Sequence, residues 1–231
     1  MALTSNVKVL LLTYRKMKWI LPAYIRLHRK YWGAPVTLVA ETDYSGGEFE
    51  FWLPEDYVEK NMIEAHAYVA VLRWALEKTK DKYVILMMGD YMIREPVDSE
   101  IIDKMVEYMD QEGNIMRCEI GNSRGIIQSG TLTDHYKGVA IYEHNFLPTA
   151  LTPGLWDRKK FLEILPDGST AWDVELKGRD KFPSLGFRSI GPLPEPMIYI
   201  NAIRGRDHHS MVYTPELWAE IGDLIPSDIR R

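Results

Sequence analysis

Along the chain, short runs of consecutive apolar residues alternate with stretches in which apolar residues recur every three or four positions. One run, Tyr83-Val-Ile-Leu-Met-Met88, shows no alternation and stops at Gly89-Asp90. That pattern predicts a central strand buried on both faces of a helix-covered sheet. Val7-Lys-Val-Leu-Leu-Leu-Thr13 and Pro35-Val-Thr-Leu-Val-Ala40 predict two earlier strands. Ile115-Met-Arg-Cys-Glu-Ile120, Gly138-Val-Ala-Ile-Tyr142 and Met197-Ile-Tyr-Ile200 predict three later ones.

Helical stripes lie between these runs. Trp19, Ile20, Ala23, Leu27 and Tyr31 form the first, stopped by Gly33-Ala-Pro35. Ala65, Tyr68, Val69, Leu72, Ala75 and Leu76 form the second, within residues 62–79, and Arg73 and Glu77 are spaced to pair at i, i+4. Ile102, Met105, Val106 and Met109 form the third, with Asp98 as its N-cap and Gly113 as its stop. Leu155-Trp-Asp157 reads as the opening of a short helix through Phe161, Leu162 and Leu165, and Thr170-Ala-Trp-Asp173 fits a capping box that opens another. Residues 121–137 read as a loop, and residues 183–196 as a segment rich in proline and glycine.

Strands alternating with helices predict an α/β fold, with a mostly parallel central sheet flanked by helices in a three-layer α/β/α arrangement. In such a sheet ligands bind at the carboxyl ends of the strands, which is where Asp90 falls. The competing role for Asp90 is a turn or cap acid. Thr13-Tyr-Arg-Lys16 and Glu41-Thr-Asp43 end the first two strands on the same edge.

Composition narrows the class. With 231 residues, 46% hydrophobic and 26% charged, the chain is ordinary for one soluble globular domain. No apolar run approaches the ~18 residues a membrane span needs, and Met1 to Asn6 lack the basic segment of a signal peptide. A cytoplasmic protein is the expectation. A single cysteine, Cys118, excludes an internal disulfide. A net charge of −5 gives no overall attraction to nucleic acid or anionic lipid, so no nucleic-acid partner is expected.

The chain has no GxGxxG, no Walker lysine loop, no G-x-S-x-G elbow, no His-Glu-x-x-His and no CxxC pair. What remains is Asp90, the acids Asp173 and Glu175, and a late cluster of Arg204, Arg206, His208 and His209. One acid for a metal, one for a proton and a basic group for phosphate suit transfer from a nucleotide-diphosphate donor.

Lys82-Tyr-Val-Ile-Leu-Met-Met-Gly-Asp-Tyr-Met92, followed by Pro96-Val-Asp98, resembles the "YVLLLLDDYF…PVD" segment of a family of bacterial glycosyltransferases with the GT-A nucleotide-diphospho-sugar transferase fold. Ala150-Leu-Thr-Pro-Gly-Leu-Trp-Asp-Arg158 with Ser169-Thr-Ala-Trp-Asp-Val-Glu175 is similar to its "QPALWRRE…SPWEFE" segment, and Tyr199-Ile-Asn-Ala-Ile-Arg-Gly205 to its "YVNAVRRGK" ending. The three motifs occur in order across most of the chain.

The resemblance implies a single GT-A-like domain over residues 1–231, with a nucleotide-binding half at 1–98 and an acceptor-side half at 99–231. It implies an inverting glycosyltransferase that moves a sugar from a nucleotide-diphospho-sugar onto a glycan or related acceptor, in surface polysaccharide synthesis. Asp173, with Glu175 second, would be the catalytic base. Thr13, Tyr14, Arg15, Glu41, Asp43, Asp90, Arg204 and Arg206 would bind the donor, and Trp156 and Trp172 the acceptor. A divalent cation, Mn²⁺ or Mg²⁺, would be held by Asp90 and His208.

The sequence departs from the family pattern at Gly89, where the family has an aspartate, and at Met92, where a second acid of a DXD motif would stand. Other roles stand beside these: the capping box itself for Asp173, an exposed helix acid for Glu175, a solvated loop for the late arginines and His208, half-buried packing for Tyr14, and core packing for both tryptophans. The alternative functions are a binding protein of the same fold that has lost catalysis, and a sugar nucleotidyltransferase. The chain is short for this fold, so acceptor binding would fall to loops or to a second subunit of a homo-oligomer.

Overall fold

The computed structural model describes residues 6–58, 67–122, 130–143, 148–167, 170–204, 210–211 and 214–227. In chain order the strands are β1 (Val7–Leu12), β2 (Val36–Val39), β3 (Glu50–Trp52), β4 (Tyr83–Met88), β5 (Tyr91–Ile93), β6 (Ile115–Glu119), β7 (Gly121–Asn122), β8 (Thr131–Tyr136), β9 (Val139–Glu143), β10 (Gly154–Asp157), β11 (Arg188–Leu193), β12 (Met197–Asn201), β13 (Ile203–Arg204) and β14 (Ser210–Met211). The helices are α1 (Leu21–Tyr31), α2 (Glu55–Val58), α3 (Tyr68–Lys78), α4 (Ser99–Glu112), α5 (Arg158–Ile164), α6 (Ala171–Lys181) and α7 (Pro215–Ile221).

Nine strands form one sheet in the order β3-β2-β1-β4-β10-β6-β11-β9-β8. β1 to β4 are mutually parallel, as are β6 and β11. β10 runs antiparallel to both β4 and β6, which leaves those two pointing the same way. The carboxyl ends of β1, β2, β4 and β6 therefore share one edge. Successive strand residues point to opposite faces. Val9, Leu11, Ile85 and Met87 pack with α1 and α4, whereas Leu10, Leu12, Val84 and Leu86 pack with α3 and α5. Both faces are covered, which explains why β1 from Val9 onward and β4 read as unbroken apolar runs. Each fully buried leucine, such as Leu10, contributes roughly 1.5–3 kcal/mol.

Local signals hold at several ends. The Asp98 carboxylate accepts from Glu100 N and Ile101 N, and Gly113 takes a positive φ of 70° where α4 stops. The Thr170–Asp173 capping box forms at the start of α6.

Elsewhere the pairing partners overrule local pattern. Gly154–Asp157 is a fully buried strand, and only from Arg158 does the chain become helical, because β10 fills the gap between β4 and β6. The proline- and glycine-bearing segment contains β11, which pairs with β6 through Arg188–Ile190 and with β9 through residues that include Gly191 and Pro192. Within the expected loop 121–137, Thr131–Tyr136 is β8, paired with β9. The basic residues after β1 enter a 3-10 helix, Arg15–Ile20, before α1. Arg73 donates to the Leu165 carbonyl at 3.1 Å instead of pairing with Glu77.

A small second sheet, β5-β12-β7, begins directly after Asp90. Its attachment runs through the main chain: Ala202 N donates to the Asp90 carbonyl at 2.8 Å. No helix among the described residues is long and apolar enough to cross a membrane.

Candidate active site

The carboxyl ends of β1, β2 and β4 bring the early residues together. Gly89 N donates to the Leu12 carbonyl and Thr13 N to the Val39 carbonyl, so the chain after each strand is tied to its neighbour. An added Cβ at Gly89 would lie 2.9 Å from Thr13 Oγ1 and 3.3 Å from Thr13 Cβ. Close contact with Thr13 therefore explains a glycine beside Asp90. Tyr14 caps the 3-10 helix in extended conformation, and Arg15 is exposed on its first turn.

Glu41 accepts from the Tyr44 hydroxyl at 2.8 Å. Burial first, then the bond and charge of Glu41, raise the Tyr44 pKa, while Thr42 and Arg15 act in the opposite sense. Glu41, Tyr44 and Arg15 thus form one polar group. Thr13 Oγ1 and Glu41 Oε2 are buried with no hydrogen-bond partner among the described residues. Buried polar atoms of this kind call for a ligand or a water. Asp43 has a local task instead, accepting from Ser45 N, Ser45 Oγ and Gly47 N. Burial opposes its ionisation, but these three bonds together hold its carboxyl below the ordinary range.

Asp90 is half-buried at the end of β4. Within reach of its charge is Tyr68, the first residue of α3, whose hydroxyl is buried and has no hydrogen-bond partner among the described residues. Burial raises the Tyr68 pKa, and the charges of Glu175 and Asp90 raise it further. Tyr91 is raised in the same way, by burial first and then by Asp90, Tyr199, Tyr68 and Glu175. The Tyr91 and Tyr199 rings lie 5.0 Å apart. The charges of two carboxylates from distant parts of the chain, Asp90 and Glu175, therefore reach the same two tyrosines, Tyr68 and Tyr91.

The two acids of α6 have separate roles. Asp173 is engaged by its helix: Oδ2 accepts from Thr170 N and Oγ1, and Oδ1 pairs with Lys177 at 2.8 Å. Glu175 turns inward and accepts from Leu151 N at 2.8 Å. Burial raises its pKa, and the Leu151 bond and the Arg117 charge offset this only in part. Beneath it, buried Arg117 donates to Thr152 Oγ1 at 2.6 Å, and Thr152 Oγ1 donates to Glu119 Oε1 at 2.8 Å. This network holds Thr152, the neighbour of Leu151, in front of β10.

Trp172 is 69% exposed, one turn from Glu175 on the same side of α6. Trp156 corrects the sequence reading. It is fully buried in β10, stacked on Phe161 at 3.9 Å, because β10 is an internal strand, so it lines no open site. Arg204 lies in β13, two residues beyond the Ala202 that bonds Asp90. Arg206 and His208 fall outside the described residues.

The described residues contain no group of three or more His, Cys, Asp or Glu able to hold a metal. Met92 is a core residue in β5, so no second acid follows Asp90. A Mg²⁺-type site needs only one or two carboxylates when substrate phosphates supply further oxygens, and Asp90 fits that lesser role.

Tyr68, Tyr91, Tyr199 and Arg117 were not legible as site residues. Tyr68 sits in an apolar helical stripe and reads as core. Arg117 and Glu119 did carry a signal, two opposite charges spaced by two within an apolar strand.

No protein-family model and no curated protein matches the sequence. Among solved structures the chain is similar to Staphylococcus aureus TarS 1–349 in complex with UDP-GlcNAc, at 13% identity and a TM-score of 0.54, covering 95% of this chain and 65% of that one. The bifunctional IspDF of Campylobacter jejuni matches at 11% identity and a TM-score of 0.44, over 81% of this chain and 49% of that one. A cytidylyltransferase from Leptospira borgpetersenii matches at 11% and 0.49, over 80% and 75%. The TarS match carries the likeness, which is one of fold. The chain has the GT-A-like nucleotide-diphospho-sugar transferase fold. It spans about half of the matched IspDF and 65% of the matched TarS piece.

Proposed function

We propose that the chain is an inverting glycosyltransferase that uses a nucleotide-diphospho-sugar donor and a glycan acceptor. The observation that supports this most is that the charges of Asp90, from the end of β4, and Glu175, from α6, both act on the Tyr68 hydroxyl, which is buried and unbonded among the described residues. The nucleoside lies over Thr13, Tyr14, Arg15 and Glu41, where Thr13 Oγ1 and Glu41 Oε2 await partners. The diphosphate lies toward Asp90 and β13. A divalent cation held by Asp90 and the diphosphate oxygens would neutralise charge on the leaving group.

Glu175 is the better-placed base, since Asp173 is committed to the helix cap. Its raised pKa brings it toward the working pH, where a general base is most effective. Glu175 accepts the acceptor hydroxyl's proton while that oxygen bonds to the anomeric carbon. The bond from that carbon to the diphosphate breaks, and the nucleoside diphosphate leaves with inversion. Trp172 offers an exposed flat face for the acceptor ring.

The test is a thermal-shift screen against UDP, GDP, CDP, dTDP and their sugars, with and without Mn²⁺, on the native chain and Asp90→Asn. A ligand at 100 times its dissociation constant stabilises the fold by ~2.7 kcal/mol. A shift by one nucleotide that needs Asp90, together with sugar transfer, is expected; absence of any shift overturns the proposal. Binding without transfer or donor hydrolysis would favour the binding-protein alternative, which the lack of acids at Gly89 and Met92 supports.

A further inference from the structure

Away from the carboxyl edge there is a recess of about 290 Å³ between α2, α3 and the connection from α5 to α6. Tyr57, Arg73, Trp74, Glu77, Pro166 and Asp167 line it. Trp74 is held edge-on against Trp52, with ring centroids 6.3 Å apart, and the Lys78 ammonium lies 4.8 Å from its ring. Arg73 is fixed by its bond to the Leu165 carbonyl. Glu77 and Asp167 are exposed and make no hydrogen bond or ion pair among the described residues.

We propose that this recess is a neutral-saccharide subsite that holds a distal unit of the acceptor glycan. The occupant rests on the glycosyl-transfer reading; the recess does not. A pyranose ring has apolar C–H faces and a rim of hydroxyls that both donate and accept. Trp74 and Tyr57 cover the faces, the two carboxylates accept, and the remaining Arg73 N–H groups donate. Glu77 and Asp167 repel an anion, while Arg73 and Lys78 repel a simple cation. A purely apolar ligand would strip water from three charged groups without replacing it. The volume is at the low end for ligand pockets and suits one or two rings.

Placement links the recess to the transfer site. The Tyr68 hydroxyl lies within reach of the Asp90 and Glu175 charges, and the next two residues, Val69 and Ala70, line the recess. Asp167 stands a few residues before α6, which carries Trp172 and Glu175. A glycan chain leaving the transfer site over Trp172 passes the same two elements.

The experiment titrates the ¹⁵N-labelled chain with maltohexaose, chitohexaose and hexagalacturonate, following the tryptophan indole N–H signals. The Trp74 signal is expected to shift with at least one neutral hexasaccharide and not with the acidic one. Trp74→Ala, and the double variant Glu77→Gln with Asp167→Asn at exposed positions, are expected to weaken that binding about tenfold. Asp90→Asn and Glu175→Gln leave it unchanged. The subsite is refuted if neither neutral sugar moves Trp74, or if binding is lost in Glu175→Gln but survives the recess variants. The transfer reading is judged apart from this, by the nucleotide-dependent thermal shift, so either can fail alone.

Discussion

The two edges of the large sheet treat their polar groups differently. At the amino edge of β4 every charged group named here has a task. Asp110 accepts from Lys82 and, at 2.8 Å, from the Tyr83 hydroxyl. Arg158 donates to the Asp81 and Leu76 carbonyls, and buried Asp157 caps α5 by accepting from Lys159 N and Lys160 N. At the carboxyl edge Thr13 Oγ1, Glu41 Oε2 and the Tyr68 hydroxyl are buried without partners among the described residues, and Glu175 carries a raised pKa. Unmet hydrogen bonding costs stability, so a ligand or water that reaches these three groups is favoured there.

The largest effect that sharpens this contrast is on rate. Glu175→Gln is expected to lower sugar transfer about 10²- to 10⁴-fold while leaving the nucleotide-induced thermal shift in place. An equal loss of rate per folded molecule in Asp157→Ala would break the contrast. Asp157→Ala should act on stability instead, costing about 1–2 kcal/mol in urea unfolding through loss of the α5 cap.

A smaller effect appears with pH. Burial raises the Glu175 carboxyl, so the folded chain keeps a proton that the unfolded chain has already lost. Stability therefore falls as pH rises from 4.5 through the folded value, and Glu175→Gln should remove that slope in urea titrations. In activity, the acid limb of kcat/KM should lie above 4.5, since only the ionised carboxylate accepts a proton. The smallest effect is that of Tyr68→Phe. Removing a buried hydroxyl that has no partner among the described residues should leave stability unchanged or raise it by up to about 1 kcal/mol, and calorimetry will read the sign.

The sequence by itself determined what depends on neighbours in the chain. Unbroken apolar runs placed β1 and β4, helical spacing placed α1, α3 and α4, and Asp98, Gly113 and the Thr170–Asp173 box marked helix ends, because strand burial, helix periodicity and capping act over a few residues. It also put Asp90 at a strand end. Only the tertiary structure decided the rest. Gly154–Asp157 and the segment around Gly191-Pro192 become strands because open positions in the sheet supply their hydrogen bonds, which no local pattern records. Trp156 is enclosed by the same pairing. Asp173 and Glu175 differ by direction: two residues apart on a helix, one is bonded to its own N-terminus and the other to Leu151, with Arg117 near it. Burial, the Leu151 bond and the Arg117 charge set the pKa of Glu175, and those arise only once the fold has brought residues 117, 151 and 175 together.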